Sequence, residues 1–270
     1  MTDLTLAMEA VKAGMAGFVT KCHQGDTSAR AAVVEEAMEL LYPGKNFRVW
    51  GGVVLNHGVG GLNPSAVYAS GKMGGRFVWF PTVDAENDAQ YKKMHAGQQG
   101  LGASNEQPIK KPKIKLLDDE GTLVPEVKEV LRQIKAFNMV LATGHISVQE
   151  SLALVRAAAA MGIRKILVNH VSLPITKASL ALQKEYIDSG AMVEHCYYTP
   201  MAGLCSWEEI AESIRTLGPE HVILSTDLGQ PTNSSPVEGM EKFAEHLYSL
   251  GISEKSIFQM MASNPEKLFF

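Results

Sequence analysis

Seven short runs rich in β-branched and aromatic residues, at 17–23, 47–56, 76–82, 139–145, 165–170, 192–199 and 222–227, alternate with longer stretches of helical periodicity. The helical stretches lie at 3–13, 27–41, 124–137, 148–160, 175–189, 206–217 and 237–250. Regular alternation of this kind brings strands together in parallel with helical crossovers, so it predicts an α/β fold. Several helices close at glycine, as at Met161-Gly162 and Ser189-Gly190, where a left-handed residue ends the helix. Seven units are one short of a (β/α)8 TIM barrel. The chain opens on a helix, as though one strand had stood before residue 1. Two arrangements therefore stand: an open sheet, or a TIM-barrel-like fold whose first strand is absent from this chain. Residues 1–270 are expected to form one domain. A long connection at 83–119 interrupts it, containing His95-Ala-Gly-Gln-Gln-Gly100 and the basic Lys110-Lys-Pro-Lys-Ile-Lys115, a length typical of a functional loop or cover.

With 46% hydrophobic and 20% charged residues, the chain has enough apolar material for one large core. A net charge of -4 offers no basic footprint for a phosphate backbone, which argues against nucleic acid and leaves a small molecule as the expected partner. Cys22, Cys196 and Cys205 are odd in number and lack C-x-x-C spacing, so neither a disulfide framework nor a thiolate zinc site is expected. No apolar run reaches the roughly 18 to 20 residues that span a bilayer, and no signal-peptide pattern opens the chain. These readings predict a cytoplasmic protein with no membrane partner.

Parallel sheets place ligand sites at the carboxyl ends of their strands. Three strand candidates end there in good metal donors: His145 in Leu-Ala-Thr-Gly-His, His170 in Ile-Leu-Val-Asn-His and Asp227 in Ile-Leu-Ser-Thr-Asp. Taken singly, each is as readily a residue that bonds a loop carbonyl. Three at one edge make a two-imidazole, one-carboxylate set that suits a divalent metal, zinc first, then manganese, iron or nickel. Period-two alternation puts Leu141, Thr143 and His145 on one face and the smaller Val140, Ala142 and Gly144 on the other, toward helix packing. Ser147 and Glu150 have capping-box spacing, which makes this stretch a strand-to-helix junction.

Lys21 and His23 share a face by the same rule, with Cys22 opposite. A buried lysine is costly unless it is paired or functional, so Lys21 is expected to orient a substrate carboxylate, pair with an acid or be carboxylated. Alternation does not decide whether Glu194 or His195 faces inward; His195 is carried as a substrate-binding candidate. Asn56 and His57 precede a glycine-rich turn whose amides suit an anion. No Walker loop, dinucleotide fingerprint or Gly-x-Ser-x-Gly elbow occurs. His221 and His246 read as structural.

The order of strand-ending His145, strand-ending His170 and Ser-Thr-Asp227 resembles the amidohydrolase superfamily of metal-dependent hydrolases. So do Gly-Phe-Val-Thr-Lys-Cys-His, Asn-His-Gly-Val-Gly-Gly-Leu-Asn-Pro and the closing Met261-Ala-Ser-Asn-Pro-Glu-Lys-Leu268, which looks like that family's terminal helix. The resemblance implies a TIM-barrel fold in which these strands are the fifth, sixth and eighth. Two family features are missing: no His-x-His occurs, and the strand at 76–82 carries no bridging lysine. The resemblance implies a single metal held by His145, His170 and Asp227, with Asp227 also the general base. It implies hydrolysis of an amide, lactone or related bond, with Lys21 or His23 binding an anionic part of the substrate. A metal-dependent decarboxylase and a catalytically inactive barrel serving as a scaffold are the alternatives. An unpaired sheet edge predicts a homo-oligomer.

Overall fold

The computed structural model describes residues 1–95 and 111–269. The chain begins with α1 (Asp3–Lys12), β1 (Gly17–Val19), α2 (Ser28–Leu41), β2 (Arg48–Trp50), β3 (Gly52–Val54), α3 (Pro64–Lys72), β4 (Phe77–Trp79) and α4 (Glu86–Met94). It continues through α5 (Pro125–Ala136), β5 (Val140–Ala142), α6 (Val148–Ala160), β6 (Ile166–Val168), α7 (Leu180–Asp188) and β7 (Met192–Cys196). Last come α8 (Tyr198–Met201), α9 (Trp207–Leu217), β8 (Val222–Ser225), α10 (Pro236–Ser249), α11 (Glu254–Phe258), a π turn (Gln259–Ser263) and α12 (Asn264–Phe269). No helix among the described residues is long and apolar enough to cross a membrane.

All the strands pair in parallel, in the sequential order of a TIM-barrel-like fold, and the seven expected strand positions are present. The run at 47–56 is broken at Gly51 into β2 and β3: β2 pairs with β1, and β3 pairs with β4. A Cβ at Gly51 would come within 2.6 Å of the Thr27 and Ser28 backbone, and one at Gly52 within 2.1 Å of Phe77 O. Close backbone approach is what these glycines permit. The Thr27 hydroxyl fills the break, donating to Thr20 O (2.9 Å) and accepting from Gly52 N (2.9 Å). The described residues thus form a two-stranded sheet and a six-stranded sheet, and among them β1 and β8 are not paired with each other.

Alternation along the strands separates two cores. Val53, Val78, Leu141, Ile166 and Leu224 pack with the helices. Val54, Phe77, Trp79, Val140, Ala142, Leu167 and Ile223 form the interior cluster with Leu268 of α12. The small side chains of β5 therefore face the interior, and Leu141 faces the helices, the reverse of the expected assignment. Strand parity does not extend to His145, because β5 ends at Ala142 and Gly144 turns the chain at φ 68°. A Cβ on Gly144 would stand 2.3 Å from Phe80 O, which accounts for glycine there.

The helix expected at 175–189 starts only at Leu180, where Ser179 caps it. The connection at 83–119 contains α4, pinned by Glu86 N→Ile114 O (2.9 Å) and Ile114 N→Asp84 O (2.8 Å). Residues 96–110, which carry much of the glycine-rich and basic expectation, lie outside the described residues. At the opposite end of the sheet, Phe269 stacks on Trp50 at 4.1 Å, and its carbonyl accepts from Lys165 Nζ.

Candidate metal and substrate site

A cavity of about 480 Å³ runs inside the sheet, with Lys21, His23, His170, Glu194 and Asp227 gathered at the strand carboxyl ends. Its remaining wall is largely apolar, including Trp50, Phe77, Trp79 and Leu167. The cavity also reaches Leu6 of α1 and Met240 of α10, the helices on either side of the gap between β1 and β8.

His170 follows β6 in a left-handed conformation, φ 54°, and Asp227 follows β8 at φ 52°. Residues other than glycine enter this region at a cost, which asparagine and aspartate bear best. For a histidine the conformation is a local strain of the kind found at functional sites. The surroundings hold His170 there: its carbonyl accepts from Thr176 Oγ1 (2.7 Å) and Leu173 N (2.8 Å). Its Nδ1 lies 3.0 Å from Cys196 Sγ and 3.3 Å from Glu194 Oε2. Its Nε2 is buried with no hydrogen-bond partner among the described residues. Burial pushes the imidazole down to about 4, so the ring is uncharged at neutral pH.

His145 is oriented in a parallel way. Its Nδ1 is 2.8 Å from Asp88 Oδ1, and its ring stands 5.5 Å from that of His170 and 6.0 Å from that of His23. Burial works against the Asp88 charge, but the hydrogen bond from His145 and the Lys92 ammonium hold its carboxyl below the usual value. A carboxylate only accepts, so Nδ1 carries a proton toward Asp88, and in the neutral ring Nε2 is then the nitrogen with the lone pair. Histidines that ligate metals commonly show this bond to a carboxylate on the far nitrogen.

Lys21 Nζ lies 3.2 Å from Asp227 Oδ1, across the gap between β1 and β8. Burial opposes the ammonium, but Asp227 and Glu194 outweigh it and raise the lysine. Burial likewise opposes the Asp227 charge, and Lys21, His170 and His145 together hold its carboxyl well below the usual carboxylate range. His23 is pushed down to about 3, by burial first and then by Lys21 and His145, so it offers a hydrogen bond rather than a charge. Its Nδ1 sits 2.8 Å from Thr82 Oγ1.

Three expected substrate-binding residues stand elsewhere. Asn56 is a buried latch: its amide donates to His23 O (2.9 Å) and Thr82 Oγ1 (2.7 Å), and its carbonyl accepts from Thr82 N (2.9 Å). It orders His23 rather than lining the cavity. His57 turns to Pro112 O at 2.9 Å, and its backbone amide donates to Asp84, so the expected anion site is already filled by the protein's own carboxylate. His195 is 0% exposed and lies between Ser172 Oγ (2.6 Å) and Ser213 Oγ (3.1 Å), on the helix side of β7. Glu194 is the inward neighbour, accepting from Asn169 Nδ2 at 2.8 Å. Cys22 bonds Gln24 away from the cavity.

Cys196, Asn169 and Asp88 belong to the site beyond the residues that the sequence points to, and Glu194 resolves the alternative with His195. Asn169 was visible as the residue before His170; Asp88 carried no signal, since only folding brings α4 to β5. The donors drawn together within 4.8 Å of one another are His170, Glu194 and Cys196, a trio that shares only His170 with the expected set. Its geometry is read most simply as support from behind, because Glu194 and Cys196 address Nδ1 and leave Nε2 over. The buried, orphaned Nε2 of His170 is what a metal would satisfy, and His145 and Asp227 offer a second imidazole and a carboxylate at the same strand ends, although among the described residues the three are not drawn within 4.8 Å of one another.

Residues 1–194 match a family of unknown function (DUF6282). No curated protein matches the sequence. Among solved structures, the phosphotriesterase homology protein of Escherichia coli, complexed with phosphate in its active site, is similar at 17% identity and a TM-score of 0.59, over 99% of this chain and 88% of that one. Organophosphorus hydrolase from Deinococcus radiodurans is similar at 13% and 0.54, over 99% and 82%. An amidohydrolase from Pseudomonas aeruginosa is similar at 12% and 0.54, over 98% and 82%. Likeness at such low identity is one of fold, and it agrees with the TIM-barrel-like strand order.

Proposed function

This chain belongs to the family of unknown function DUF6282, a membership that supplies no reaction, and on the chemistry of its site we propose a metal-dependent hydrolase. The observation that carries the reading is the buried, unpartnered Nε2 of His170, held at a strained φ with its other nitrogen occupied. Leaving a polar atom buried without a partner costs on the order of 1–3 kcal/mol, so a ligand atom is the economical account of it. His145, His170 and Asp227 would hold a divalent metal, zinc by the donor types. Such a metal supplies Lewis acidity and water that is acidic enough to ionise near neutral pH.

The protein's own groups then have separate tasks. Asp227, deprotonated throughout the neutral range, accepts a proton from water as general base. Lys21 keeps its charge beside Asp227 and attracts an anionic or strongly polar part of the substrate. His23, uncharged, orients that part by hydrogen bonding. The apolar wall beneath takes a hydrocarbon portion and excludes water. The substrate class is a small molecule with an amide, lactone or related bond. The hydrolytic activities named for the similar structures support hydrolysis in general and not this substrate class.

Dialysis of the protein against Zn²⁺, Mn²⁺, Fe²⁺ or Ni²⁺, followed by elemental analysis, is expected to leave about one ion bound per chain, lost in His170→Gln. Loaded protein should hydrolyse members of a lactone and amide panel, and Asp227→Asn should lower turnover by roughly 10²–10⁴-fold. Retention of no ion by the wild type, or full turnover by Asp227→Asn, would remove the reading.

A further inference from the structure

Outside the sheet, α4 meets His145 with two of its residues. Asn87 and Asp88 are adjacent residues in its first turn, and both contact His145. The Asn87 side chain donates to His145 O (3.0 Å) and to Ile175 O (2.8 Å), clipping the β5 and β6 loops together. Asp88 is 1% exposed and divides its oxygens: Oδ1 is 2.8 Å from His145 Nδ1, and Oδ2 is 2.9 Å from Lys92 Nζ one turn along the helix. The helix that carries them is fixed at its start by the Asp84–Ile114 and Glu86–Ile114 backbone bonds.

We propose that Asp88 is the positioning residue of the site, selecting the Nδ1–H tautomer of His145 and so presenting Nε2 as a donor. The inference rests on His145 being a ligand, as argued above, but its structural content is independent of any metal. Neutral imidazole exchanges between two tautomers of similar energy, and only one offers Nε2 as a lone pair. An acceptor-only group at Nδ1 decides between them. Lys92, drawn to the other oxygen, fixes the carboxylate plane. His170 has Glu194 and Cys196 behind it; His145 has Asp88, supplied by the long connection rather than by the sheet. The connection at 83–119 thereby has a chemical task in the site.

The test reads tautomers directly. Nitrogen-15 NMR of the imidazoles in metal-free protein is expected to show His145 as Nδ1–H in the wild type. In Asp88→Asn, whose amide can donate as well as accept, a mixture or the Nε2–H form is expected. Asp88→Glu, which restores the carboxylate, should recover the wild-type signature. Asn87→Ala removes the neighbouring clip without touching the ring and should leave the tautomer unchanged. Zn²⁺ affinity, measured by competition with a chelator, should fall roughly 10- to 100-fold in Asp88→Asn and much less in Asn87→Ala. An Nε2–H form of His145 in the wild type overturns the proposal whether or not any variant folds. Equal tautomer changes in Asn87→Ala and Asp88→Asn overturn it too, by reducing Asp88 to packing. A wild type that binds no Zn²⁺ while its His145 tautomer follows Asp88 leaves this inference standing and removes the metal reading alone.

Discussion

Among the single residues, the histidines divide by what their two nitrogens meet. His195 meets two serine hydroxyls and is complete; His170 meets a carboxylate and a thiol on one side and, among the described residues, no partner on the other. Completeness has a measurable consequence in pH. Burial pushes His195 down to about 4, whereas in the unfolded chain it titrates near 6.5. Between those values the unfolded state holds the extra proton, so stability rises with pH. The contribution is full above about 6.5 and drains away as pH falls toward 4, at up to about 1.4 kcal/mol per pH unit for one group. Urea unfolding of His195→Gln between pH 7 and 4 should show a slope smaller than wild type by about one proton. An unchanged slope would mean that the folded imidazole is already charged. The sequence made His145, His170 and Asp227 visible because each stands at the end of an apolar run. It left the choice between Glu194 and His195 open, because a shift of one residue exchanges the faces of a strand.

At the level of elements, the junction after β5 shows one residue serving two purposes. Ser147 caps α6, and the Glu150 side chain returns to the cap amide at 2.9 Å, as the spacing in the sequence indicates. The second purpose was not legible there: Glu150 Oε1 also accepts from Leu116 N at 2.7 Å, tying the far end of the long connection to α6. Ser147→Ala should therefore cost about 1 kcal/mol, the usual value of a cap. Glu150→Ala should cost more, roughly 2–3 kcal/mol, because it also strands a buried amide. Denaturant titrations of the two variants compare them directly, and equal losses would refute the second role. Helices with strong caps and periodicity, such as α6, were legible almost to the residue. Missed elements had other causes. The α3 helix holds Gly71, which fits against Phe137 where a Cβ would stand 2.4 Å from the ring, and α4 is too polar to show an apolar stripe. Strand lengths were overread because the apolar runs continue into the turns that carry the ligands.

For the whole molecule, the strand order followed from the alternation of elements, but the break at Gly51 did not, since Trp50-Gly-Gly-Val53 reads as one continuous run. The break gives α1, β1, α2 and β2 an apolar cluster largely their own, apart from the core around β3 to β8. Across the gap between β1 and β8, Lys21 reaches Asp227. Lys21→Met should leave Asp227 uncompensated and lower the stability of the metal-free protein by about 1–3 kcal/mol, a partial value of a buried pair because both groups retain some solvent. The same variant should bind Zn²⁺ more tightly than wild type, and added Zn²⁺ should restore its thermal midpoint. Weaker Zn²⁺ binding would show that the lysine assists the ion rather than competing with it. The bridge makes filling the site and joining the two sheet edges rival uses of one carboxylate. Two equilibria that share a group are coupled equally in both directions. An ion that captures Asp227 thus loosens the seam between β1 and β8, and anything that draws that seam together lowers the site's affinity for the ion by the same factor.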